Sequence, residues 1–121
     1  PLSMQAAADM FGQMTVPRGG KKIAVLGDMR ELGRISERAH REIGRLFGSK
    51  GIDILCAVGD FASNYAEGAR ESGMSQDTVR IYTGAEEAKA YVETLIRPGN
   101  VILVKGSRAL GMERIVQGKK E

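Results

Sequence analysis

Three short apolar runs punctuate the chain, and each ends on a turn that carries glycine and charge. Ile23-Ala24-Val25-Leu26 runs into Gly27-Asp28, Ile54-Leu55-Cys56-Ala57-Val58 into Gly59-Asp60, and Val101-Ile102-Leu103-Val104 into Lys105-Gly106-Ser107-Arg108. Unbroken runs of four to five apolar residues suit strands buried on both faces, the habit of parallel sheets covered by helices. They predict strands at 22 to 27, 53 to 58 and 101 to 104, with a weaker one at Val79-Arg80-Ile81-Tyr82.

Between the runs the apolar period changes from continuous to helical. Ser3 is placed to cap a first helix with Met4, Ala7, Ala8, Phe11 and Met14 on one face, running toward a turn at Pro17-Arg18-Gly19-Gly20. Residues 28 to 35 show no clean period and read as a loop before a helix capped by Ser36, which should bury Ala39, Ile43, Leu46 and Phe47. Asp60 can cap a third helix striped by Phe61, Ala62, Tyr65, Ala66 and Ala69, and Thr83 with Glu86 forms a capping-box pattern before Ala88, Tyr91, Val92 and Leu95. Met112, Ile115 and Val116 suggest a short final helix. Alternating helix and strand throughout predicts an α/β fold: a Rossmann-like three-layer domain whose mostly parallel sheet has helices on both faces.

A parallel sheet brings every strand's carboxyl end to one edge, and ligands of open α/β sheets bind there. Asp28, Asp60, Lys105, Ser107 and Arg108 are therefore expected to be neighbours. Gly27 to Gly33 lacks the glycine two positions on that a dinucleotide fingerprint needs, so a plain strand-to-helix turn with Asp28 bonding loop amides competes with a ligand loop. Gly106 to Gly111 has P-loop glycine spacing, but Met112-Glu113 stands where the lysine and hydroxyl belong, so this stretch should not hydrolyse a nucleoside triphosphate. The remaining cations, Lys105 and Arg108 with Ser107, suit a carboxylate or phosphate, against surface pairing with Glu113 or the tail. His40, the one histidine, has no second ligand at zinc spacing and reads as a helix-flank residue packing its ring.

Composition adds limits. At 121 residues the chain fits one domain spanning 1 to 121, and 42% apolar with 27% charged residues is ordinary for a globular protein. The net charge of +3 is scattered, and with aromatics at 5% no ring-interleaved basic face points to nucleic acid. Single Cys56 forms neither an internal disulfide nor a metal cluster, and no apolar run nears the length of a membrane span, so a cytoplasmic location without membrane partners is expected. Starting at Pro1 inside a helix pattern, the chain reads as a piece of something longer.

Taken together, Pro1-Leu2-Ser3-Met4-Gln5-Ala6-Ala7, Ile23 to Gly33 with its Gly-Asp-Met-x-Glu-Leu-Gly, Ser36 to His40, and Val104-Lys105-Gly106-Ser107-Arg108 with Glu113 closely resemble the carboxyl-terminal domain of a Mur ligase. The resemblance implies a fragment of a three-domain, ATP-driven peptidoglycan ligase that joins a UDP-sugar-linked peptide to an amine through an acyl phosphate. Its partners would be a central ATPase domain and an amino-terminal UDP-substrate domain of the same chain. ATP and Mg2+ would be held mainly by the central domain, with no cofactor in this piece and no activity from it alone. By the same resemblance, Asp28, Met29, Glu31 and Leu32 line the wall facing the central domain. Lys105, Gly106, Ser107 and Arg108 help seat the carboxylate of D-alanyl-D-alanine, and Pro1 and Ser3 match a nucleotide-proximal hinge. Arg30 and Ala109-Leu110 depart from the family pattern. The alternatives are a free-standing flavodoxin-like or response-regulator-like binding module and a basic nucleic-acid-binding α/β domain.

Overall fold

The computed structural model describes residues 3–106 and 114–117. In chain order the elements are α1 (Met4–Gln13), β1 (Lys22–Leu26), α2 (Ser36–Gly48), β2 (Ile54–Val58), α3 (Ala62–Glu71), β3 (Val79–Tyr82), α4 (Ala85–Glu93), β4 (Val101–Lys105) and β5 (Arg114–Gln117). The strands form one sheet in the order β3-β2-β1-β4-β5. Pairings among β1, β2, β3 and β4 are parallel, and β5 lies antiparallel to β4 with Ile102 opposite Val116.

The alternation of side chains along each strand splits the core in two. Ala24, Leu26, Leu55, Ala57 and Leu103 face α1, α2 and α3, while Ile23, Val25, Cys56, Val58, Ile102 and Val104 face α4. The three-layer expectation therefore holds. Two successive crossovers step the same way from β1 to β3 on one face, then the chain returns past β1 through α4 on the other. That reversal of direction makes the gap between β1 and β4 a topological switch point, where the carboxyl ends of the strands leave a crevice.

Local chemistry explains the elements. Ser3 caps α1 as expected, its hydroxyl accepting the Ala6 amide at 3.1 Å. The other end is closed from a distance. Lys22 Nζ donates to the carbonyls of Phe11, Gly12 and Met14 at 3.2, 3.0 and 3.0 Å, satisfying groups that a helix terminus leaves orphaned. Helices α2 and α3 lie against each other backbone to backbone, since a Cβ on Gly44 would strike Tyr65 O and one on Gly68 would strike Arg41 O.

Several sequence expectations are corrected. Residues 114 to 117 form an edge strand, not a final helix, because β4 offers a free ladder beside a segment centred on two β-branched residues; Met112 lies outside the described residues. Ser36 is the first residue of α2 instead of its cap, and the capping box at Thr83 and Glu86 does not form, as Gly84 precedes α4 with no side-chain cap bond. Asp60 does not cap α3 with its side chain, for Asp28 accepts the amides there instead. The strands run 22 to 26, 54 to 58 and 101 to 105, within a residue of expectation. Of the predicted α2 stripe, Ile43 and Phe47 are fully in the core, whereas Ala39 and Leu46 are half-buried.

Candidate functional site

The switch point is closed at its base by backbone. Gly27 N–H donates to Lys105 O at 2.8 Å, so the turns leaving β1 and β4 start side by side. Gly106 holds φ 104°, and a Cβ there would collide with the Gly27 backbone, so a side chain at 106 would force the two turns apart. Around this contact opens a cleft of about 760 Å³. Its walls come from Ser3, Met4 and Gln5 at the start of α1, Met29, Leu32 and Ile35 of the β1–α2 loop, Ala39, Glu42, Ile43 and Leu46 of α2, and Lys105 with Gly106.

That lining is chiefly apolar, with Lys105 and Glu42 as its charges. Lys105 is 8% exposed and is the last residue of β4. A cation at the edge of an apolar cleft is the chemistry that a ligand with an anionic end and a small apolar body would meet.

The β1–α2 loop is fastened at its root. The Asp28 carboxylate, 8% exposed, accepts the amides of Asp60 at 3.1 Å and Phe61 at 3.0 Å, which start α3. Gly59, at φ 116°, leaves room for that carboxylate, which a Cβ would displace. Tyr65 OH donates to Gly27 O at 2.7 Å, and burial together with the nearby Asp28 charge pushes its phenol well above the ordinary range. Met29 N–H donates to His40 Nε2 at 2.9 Å, while His40 Nδ1 meets Ser36 O at 2.5 Å. Since Nε2 accepts, the ring proton sits on Nδ1. Beyond this root, Glu31 takes φ 62°, a left-handed conformation uncommon for a side chain of its kind.

The sequence-predicted residues divide accordingly. Asp28 and Asp60 meet through a side-chain-to-backbone bond, and Lys105 and Gly106 join them at the same rim. Met29 and Leu32 line the cleft and, together with Asp28 and Glu31, also border a smaller hollow completed by Arg30, Gly33, Ser36 and Phe61. Ser3 opens on the cleft. Pro1, Ser107 and Arg108 lie outside the described residues. His40 packs its ring as expected, buried at 0% exposure, stacked on Phe61 at 4.4 Å and edge-on to Tyr65 at 4.9 Å. Sequence reasoning missed its bond to Met29; the signal available was a polar residue inside an apolar helical stripe. Among the described residues no cluster of three histidines, cysteines or acids could hold a metal ion. No helix among them is long and apolar enough to cross a membrane.

Comparison with known proteins gives this geometry its context. Residues 1–108 match the family model of the Mur ligase, glutamate ligase domain. The UDP-N-acetylmuramoyl-tripeptide–D-alanyl-D-alanine ligase of Bacillus subtilis is 35% identical over 117 residues, covering 97% of this chain and 25% of its own length. Its Escherichia coli counterpart is 33% identical over 121 residues, with 98% and 24% covered. Among solved structures, a crystal structure of MurF from Acinetobacter baumannii superposes with a TM-score of 0.62 at 32% identity, over 77% of this chain and 18% of that one. The UDP-N-acetylmuramoylalanyl-D-glutamyl-2,6-diaminopimelate–D-alanyl-D-alanyl ligase of the same species gives 0.65 at 29% identity over 90% and 22%. The chain thus spans about a quarter of the length of the curated relatives it matches. None of these matches supports a flavodoxin-like or response-regulator-like module. With the family model covering all but the last residues and the fold agreeing, this chain belongs to the Mur ligase family, as its carboxyl-terminal, glutamate ligase domain.

Proposed function

We propose that this chain is the closing domain of a three-domain, ATP-dependent ligase that adds D-alanyl-D-alanine to UDP-N-acetylmuramoyl-tripeptide in the cytoplasm during peptidoglycan synthesis. The observation that carries the reading is the 2.8 Å bond from Gly27 N–H to Lys105 O, which sets the loop after β1 and the cation-bearing turn after β4 on one rim of one cleft. An amine nucleophile that also bears a carboxylate needs a fixed cation to orient it. Lys105, with Gly106, Ser107 and Arg108, supplies that anchor, and the apolar walls take the methyl groups of the dipeptide. Holding the amine against an acyl phosphate on the neighbouring domain can lower the barrier by ~7 kcal/mol or more through orientation alone.

In this reading Asp28, Met29, Glu31 and Leu32 form the wall that meets the central ATPase domain, and Pro1 and Ser3 belong to the hinge near the nucleotide. ATP and Mg2+ are gripped by the central domain, since the P-loop lysine and hydroxyl are missing after Gly106 to Gly111. This domain alone is inactive. Its chain contributes orientation and exclusion of water, not a nucleophile or base.

The test is steady-state kinetics on the intact ligase with Arg108→Ala. Loss of a charge-assisted anchor should raise KM for D-alanyl-D-alanine by on the order of tenfold or more and leave KM for ATP nearly unchanged. Unchanged dipeptide kinetics would remove the anchor role.

A further inference from the structure

We infer that His40 is a positioning residue for the ligase reaction, holding the cleft-lining loop through the backbone N–H of Met29; the inference rests on the ligase reading above. The ring occupies a site that an apolar residue would fill more simply. It is at 0% exposure in α2, with Phe61 stacked on one side and Tyr65 edge-on to it. Burying two ring nitrogens there is unfavourable unless both find partners. Both do, and the partners differ in kind. Nδ1 meets Ser36 O within its own helix, whereas Nε2 reaches out of the helix to Met29 N–H at 2.9 Å, past the end of β1. Of the two bonds, only the second connects the core to the loop.

The consequence is positional. Gly27, Asp28 and Met29 are each fastened from beneath, by Tyr65 OH, by the first amides of α3 and by His40. Immediately afterwards the chain turns through Glu31 at φ 62° and lays Leu32 into the cleft beside Met29. Met29 is thus the last fastened residue before the loop meets its ligand side, and His40 fixes where that loop departs. A displacement of about 1 Å at such a point is enough to spoil the alignment of reacting groups.

The test uses the intact ligase and two variants. His40→Phe retains a flat ring against Phe61 and Tyr65 but removes both nitrogens; His40→Gln returns an acceptor of similar reach. Hydrogen exchange of the peptide holding Met29, melting temperature, and kcat and KM for D-alanyl-D-alanine are read together. His40→Phe should speed exchange at Met29 and raise KM for the dipeptide about tenfold, the equivalent of one lost buried hydrogen bond. The kcat should stay within about twofold, and His40→Gln should recover most of the KM. Slow exchange at Met29 in His40→Phe, or faster exchange with unchanged KM, would overturn the inference. So would a fall in kcat that tracks loss of melting temperature in both variants, which would make His40 a core residue only. A wild-type enzyme that fails to join D-alanyl-D-alanine would instead overturn the ligase reading, and exchange at Met29 would then decide whether His40 holds the loop.

Discussion

The carboxylate of Asp28, at the end of the first strand, accepts the backbone N–H of Phe61 at 3.0 Å and so caps a helix that begins more than thirty residues later in the chain. It binds the amide of Asp60 as well, at 3.1 Å. A charged acceptor at a helix start also meets the positive end of the helix dipole. Asp28→Ala should therefore destabilise the domain by about 2 kcal/mol, while Asp28→Asn, keeping one acceptor oxygen, should lose about half of that. Urea titrations with a constant m-value would measure both. An alanine variant within about 0.5 kcal/mol of wild type would mean that water replaces the cap.

Lys22 closes the other end of the first helix by donating to three carbonyls. Replacing it by methionine keeps the stem's apolar bulk and removes only the donors, so the effect isolates the cap. Lys22→Met should cost about 1 to 2 kcal/mol and speed amide exchange in the last turn of α1 more than anywhere else. Uniform acceleration across the domain would point to a global loss instead.

The contact between α2 and α3 has no room for a methyl group at Gly68, whose missing Cβ faces the Arg41 carbonyl. Gly68→Ala normally favours a helix by about 1 kcal/mol. Here the sign should reverse, with a net destabilisation of about 1 to 3 kcal/mol from overpacking. A thermal melt of the single variant decides it, and a raised Tm would show that the helices can separate without penalty.

Burial pushes the Cys56 thiol up to about 12 from its ordinary 9.0, against a smaller opposing pull from Arg80. The thiol is protonated in folded and unfolded chains below pH 9, so its contribution to stability is complete there. Between pH 9 and 12 the unfolded chain releases a proton that the folded one keeps, and stability falls with rising pH. Cys56→Val should flatten the part of that fall owed to the thiol, leaving the part owed to Tyr65, whose phenol is raised by burial as well. At pH 8 a thiol reagent should modify Cys56 only in denaturant; rapid labelling of the native domain would mean that the strand opens locally.

How far these features could be read beforehand depended on how local they are. The strands at 22, 54 and 101 were legible because strands buried on both faces read as nearly unbroken apolar runs, and the first helix because Ser3 and its apolar stripe lie within a few turns. The caps were misread for the opposite reason. Ser36, Asp60 and Thr83 each stand where a capping residue belongs, yet Asp28 accepts the amides of Asp60 and Phe61 at the start of α3, and the residues at the N-caps of α2 and α4, Ile35 and Gly84, make no side-chain cap bond. The segment around Ile115 and Val116 was too short for its period to distinguish helix from strand, and the open edge of β4 decided it.

By itself, the order of residues determined the layered α/β class, the family, and the expectation that the turns at Gly27 and Lys105 share an edge, because burial patterns and turn chemistry act over neighbouring positions. Which strands adjoin, and therefore that β1 and β4 flank the crevice, was decided only by the folded sheet. So were the attachments of Asp28 to Phe61, Lys22 to Phe11 and His40 to Met29. Each satisfies a backbone group left over by one element with a side chain from another, and such pairings exist only once packing has brought the elements together.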